Sequence, residues 1–85
     1  MEGSRMIRTL KDLIPGEKAR ITSIIGNGSI RRRILEMGLV PGVEVVMERY
    51  APLGDPIEIK SQGFHLSLRK EEAETIILEQ SGKEG

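Results

Sequence analysis

The sequence predicts an all-β domain: a small β-barrel of about five short antiparallel strands with two short helical insertions. Three observations predict it. Apolar residues alternate with polar ones in several short runs, which is the period of a half-buried strand. Ten Gly and four Pro are spread through only 85 residues, enough to punctuate many turns. The segments between the runs are too short for the crossovers that parallel strands require. An SH3-like barrel fits best and an OB-type barrel second, because a bent small barrel leaves few open edges.

The elements follow in order. Residues 1–8 and 80–85 are expected to be flexible flanks of a domain spanning 9–79. Thr9 is placed to cap a short helix in which Leu10, Leu13 and Ile14 share one face. Pro15-Gly16 ends it in a type II turn, with Pro presetting the first central φ and Gly taking the positive second one. A strand follows from Lys18 to Ile25, with Ala19 and Ile21 inward. Gly26-Asn27-Gly28 breaks it, and Ser29 is the expected N-cap of a helix ending near Met37. Ile30, Ile34 and Met37 fall on one side of that helix, with Leu35 beside them. Gly38 stands where a left-handed C′ residue belongs, and Pro41-Gly42 repeats the earlier turn.

Val43, Val45 and Met47 alternate along the next strand, and APLGDP (Ala51 to Pro56) is a loop. Ile57 and Ile59 mark a third strand. Gln62-Gly63 turns the chain, and Phe64, Leu66 and Leu68 alternate inward in a fourth. Lys70 to Thr75 makes one helical turn with Ala73 inward, and Ile76 to Glu79 closes the barrel.

Composition narrows the function. The chain has 13 basic and 13 acidic residues, without the basic excess of a nucleic-acid binder. With one Tyr, one Phe and no Trp it lacks the stacking platforms of single-strand binders and the aromatic groove of proline-reading domains. It has no Cys, so thiolate metal sites and disulfides are excluded. No apolar run reaches the roughly 18 residues of a membrane span. No nucleophile elbow or paired acid–base motif is present, so an enzyme is not expected. His65 alternates with Phe64 and Leu66 and is expected on the surface. Glu71, Glu72 and Glu74 are expected on a solvated face, although such carboxylates are the donor type a hard cation takes.

The basic run Arg31-Arg32-Arg33 is the feature that calls for a function. Cations in the first turn oppose the helix dipole by roughly 0.3–1 kcal/mol each. Glu36 is placed to offset part of this by pairing with Arg32 or Arg33. A partner with an acidic surface, or a phosphate, would give the run a reason. Met37, adaptable at binding surfaces, sits at the end of the same helix, and Leu53 at the loop tip has no strand face to occupy. Arg31, Arg32, Arg33, Glu36, Met37 and Leu53 are therefore the candidate partner-binding residues.

Three blocks, IRRRILEMGLVPGVEV from Ile30, APLGDPIEI from Ala51 and LSLRKEEAETI from Leu66, together resemble the ferrous iron transport protein A (FeoA) family. The resemblance runs in order from about Thr9 to Glu79. It implies an SH3-like barrel and a cytoplasmic accessory role, binding and modulating the membrane iron transporter FeoB through its GTPase-bearing cytoplasmic region. It also implies a second reading, a metal-responsive domain like the C-terminal barrel of DtxR-type repressors. No catalytic or metal-ligand motif of the family carries over to particular positions. No cofactor is firmly implied; weak binding of Fe2+ or another divalent metal is the most that the resemblance suggests. Nucleic acid and direct membrane insertion are not expected as partners, and weak homo-oligomerisation is compatible with the chain.

Overall fold

The structure is a computed structural model that describes residues 7–79. It holds β1 (Arg8–Thr9), a 3-10 turn (Leu10–Asp12), β2 (Lys18–Ile24), α1 (Gly28–Glu36), β3 (Glu44–Tyr50), β4 (Ile57–Ser61), β5 (Phe64–Leu68), α2 (Lys70–Ala73) and β6 (Ile76–Leu78). The strands form one antiparallel sheet in the order β1-β6-β2-β3-β4-β5. β2 serves two neighbours. Lys18 to Arg20 pair with β3, and Ile21 to Ile24 pair with β6, with a register shift between Ile21 and Ser23. That sharing lets the sheet fold over one core, in which Ile21, Val45, Met47, Ile57, Ile59 and Ile76 are buried.

The predicted turns form as their residues require. Glu17 N–H donates to the Ile14 carbonyl across Pro15-Gly16, and Val43 N–H to the Val40 carbonyl across Pro41-Gly42. Gly16 and Gly42 take φ of 95° and 98°, the left-handed position of a type II turn. Gly38 ends α1 at φ 86°. There a Cβ would be strained, so Gly38→Ala is expected to cost about 1–2 kcal/mol in a denaturant titration. An unchanged midpoint would show that the joint can relax.

The expected small antiparallel barrel forms, with six strands where about five were expected, because β1 is only two residues long and shows no period. Four other expectations are corrected. Arg8, expected in the flexible flank, pairs with Leu78, while residues 1–6 and 80–85 lie outside the described residues. Ile14 is 58% exposed, although Leu10 and Leu13 are fully buried. The first helical element is a 3-10 turn, which aligns i with i+3 and turns i+4 outward. Asn27, not Ser29, is the N-cap of α1, since the helix already begins at Gly28. Phe64 is 68% exposed, whereas Leu66 is half-buried and Leu68 buried. Alternation gave the correct side of β5 but not the depth: Phe64 follows the turn directly and lies beyond the end of the core.

Candidate partner-binding surface

Helix α1 is an insertion between β2 and β3, and its apolar side seats it. Ile34 is fully buried, and Ile30, Leu35 and Met37 pack half-buried against the core. Met37 is thus partly committed to packing. Arg31, Arg32, Arg33 and Glu36 lie on the exposed side.

The three arginines have different tasks. Arg31 donates through Nη1 to the Ile24 carbonyl at 2.7 Å, tying the start of α1 to the end of β2. Arg33 donates through Nε to Glu72 Oε2 at 2.8 Å. Glu72 is 7% exposed, and its Oε1 accepts the Arg69 N–H at 2.9 Å at the start of α2. Among the described residues Arg32 has neither an ion pair nor a hydrogen bond, and Glu36 has no cationic partner. The expected pairing of Glu36 with Arg32 or Arg33 is therefore not formed, because Arg33 is taken by a carboxylate already fixed by a backbone N–H. Gly28, Arg31, Arg32, Leu35 and Glu36 line a shallow groove of about 490 Å³.

Leu53 is 93% exposed at the tip of the loop between β3 and β4. Ala51 N–H donates to the Pro56 carbonyl at 2.9 Å and Gly54 N–H to the Ala51 carbonyl at 2.7 Å, so the loop is internally braced. Asp55 Oδ1 accepts the Lys70 N–H at 3.0 Å. The loop and α1 are thus both fastened to α2, through Asp55 and Glu72. Among the described residues no hydrogen bond joins the loop directly to α1.

Sequence reasoning missed Glu72, which it placed with Glu71 and Glu74 on a solvated face. The signal lay in its position three residues after Arg69, where an N3 carboxylate reaches back to the N-cap N–H. His65 is on the surface as expected, with Nδ1 2.9 Å from Glu48 Oε1. Beside it Arg49 donates to Glu58 at 2.7 Å, and that hydrogen bond pushes the Arg49 guanidinium pKa up. Among the described residues no three His, Cys, Asp or Glu side chains converge as metal ligands.

The FeoA domain family model matches residues 8–80. The chain belongs to the FeoA family. A Porphyromonas gingivalis Fe(2+) transport protein A/Fe(2+) transporter FeoB fusion protein is 40% identical over 70 residues, 82% of this chain and 8% of that protein. The solution structure of FeoA from Chlorobium tepidum is 40% identical with a TM-score of 0.80, covering 92% of this chain and 75% of that one. Stenotrophomonas maltophilia FeoA, a prokaryotic SH3 domain protein solved with zinc, is 30% identical with a TM-score of 0.75, over 85% and 89% of the two chains. The SH3-like fold of this FeoA domain agrees with these relatives. A manganese-dependent transcriptional repressor at 14% identity shares the fold alone, with a TM-score of 0.78. Among the described residues of the FeoA domain, no helix is long and apolar enough to cross a membrane.

Proposed function

We propose that this FeoA domain is a cytoplasmic accessory module of ferrous iron uptake that docks on the GTPase-bearing region of the transporter FeoB and modulates it. Membership of the FeoA family and the relative fused to FeoB support the partner. The observation that carries the docking face is Arg32: an exposed cation with no partner among the described residues, beside half-buried Leu35 in the α1 groove. Arg31 and Arg33 hold the helix in place, Arg32 and Glu36 meet the partner, Met37 backs the far end, and Leu53 supplies an apolar contact from the loop between β3 and β4. A free charge of this kind acts on association and salt dependence more than on folding.

The test is titration of the cognate FeoB cytoplasmic region into the domain at low and moderate salt. Arg32→Glu is expected to weaken binding about tenfold, or about 1.4 kcal/mol, with the melting midpoint unchanged. Binding by the variant equal to that of the parent, at both salt concentrations, would reject α1 as the docking face. A parallel Fe2+ titration without FeoB separates metal binding from partner binding.

A further inference from the structure

The geometry points to the outer edge of β5 as a self-pairing surface, through which two copies of this chain join their sheets antiparallel about Leu66. β5 is the last strand of the sheet, and among the described residues nothing pairs with its outer side. The hairpin fixes which groups are free. Gln62 and Gly63 have φ of 54° and 85°, both positive, so they form a two-residue type I′ turn. In such a hairpin the flanking residues, Ser61 and Phe64, are a hydrogen-bonded pair, and hydrogen-bonded and open pairs then alternate. Along the unbroken register, Phe64, Leu66 and Leu68 direct their N–H and C=O toward β4. His65 and Ser67 direct theirs outward. A hollow of about 220 Å³ lined by Arg33, Pro56, Ser67, Leu68 and Arg69 opens beside that end of the strand.

Sheet edges are ordinarily guarded by a lysine, a proline, a bulge or brevity. β5 has none of these: its sequence is Phe-His-Leu-Ser-Leu over five residues, and its register against β4 does not shift, unlike those of β2 with β6 and β3 with β4. The opposite edge, β1, has two residues.

A second copy is the occupant because the strand complements itself. Antiparallel pairing centred on Leu66 sets His65 against Ser67 of the second copy, and Ser67 against its His65. All the outward backbone groups are then satisfied. Half-buried Leu66 meets its own counterpart. Exposed Phe64 lies opposite Leu68, which its own core already buries, and diagonal to Leu66 of the second copy. The apolar contact is therefore chiefly between Phe64 and Leu66, and no like charges face each other. The arrangement also covers Phe64, which the monomer leaves 68% exposed. Five residues of edge pairing bury less than a standard stable interface, so the dimer is weak and concentration-dependent.

The experiment is sedimentation velocity from micromolar to about 1 mM chain, with amide exchange followed at His65 and Ser67. The expected result is reversible dimerisation, with both amides exchanging more slowly as concentration rises. Ser67→Pro removes an outward N–H from each copy without touching the β4 ladder. It is expected to raise the dimer dissociation constant at least tenfold with the fold intact by circular dichroism. Phe64→Glu, at an exposed position, gives the same result by setting a charge against the apolar side of the second copy, where it would have to be desolvated, and guards against a folding defect in the proline variant. A chain that stays monomeric at about 1 mM overturns the inference. So does dimerisation that both variants leave unchanged.

Discussion

Replacing Ile34 with Ala lowers the unfolding free energy by about 2–5 kcal/mol, read from the midpoint of a denaturant titration. Ile34 is fully buried and is the deepest anchor of α1. The substitution removes apolar contacts and leaves a hole that the surrounding strands fill only partly. A domain of this size holds about 5–15 kcal/mol in total, so the variant sits near the edge of folding. Ile34→Val, which removes one methylene group, is expected to cost only about 0.5–1.5 kcal/mol. Equal midpoints for Ile34→Ala and the parent would mean that α1 packs elsewhere in solution, and the docking face built on it would fall as well.

Glu72→Ala is the second large effect, at about 1–3 kcal/mol. The change strips the Arg69 N–H of its acceptor and Arg33 of its counter-ion at once. A fully buried pair would cost more when broken. Here the Arg33 side chain is 57% exposed, so water recovers part of the loss. Glu72→Gln, which keeps an acceptor for the N–H but no charge, is expected to recover about half of the stability. If Ala and Gln lose the same amount, the ion pair carries the effect; if Gln loses nothing, the cap does. Neither variant losing stability would show that α1 and α2 are not coupled through this carboxylate.

The parts of the fold legible in the sequence are those set by local chemistry. Pro15-Gly16 and Pro41-Gly42 carry their turn type in two residues, and both form it. Val45, Met47, Ile57 and Ile59 alternate and are buried, because period two leaves a strand no other way to hide its apolar side. What was not legible depended on distance along the chain or depth in the fold. Arg33 had a carboxylate one helical turn away in Glu36, yet it pairs with Glu72, from an element whose approach no local pattern reveals. Phe64 has the correct alternation, but only the end of the barrel determines that it is left outside. Of the candidate site, the basic helix was visible as a run of like charges. Its division into two structural arginines and one without a partner among the described residues was not, since it required the Ile24 carbonyl and Glu72 to be in place.

The pairing of β1 with β6 has a consequence for architecture. Arg8 lies directly across from Leu78 in an antiparallel ladder, so the chain enters and leaves the domain on neighbouring strands about 5 Å apart. A unit built in this way can be spliced into a surface loop of a larger host through a gap scarcely wider than a hairpin, with no long tether on either side. It can equally be strung at one end of such a host, as a bead whose two exits share one pole. The α1 groove and the β5 edge use neither β1 nor β6, so both surfaces would be carried into either arrangement without being spent on the junction.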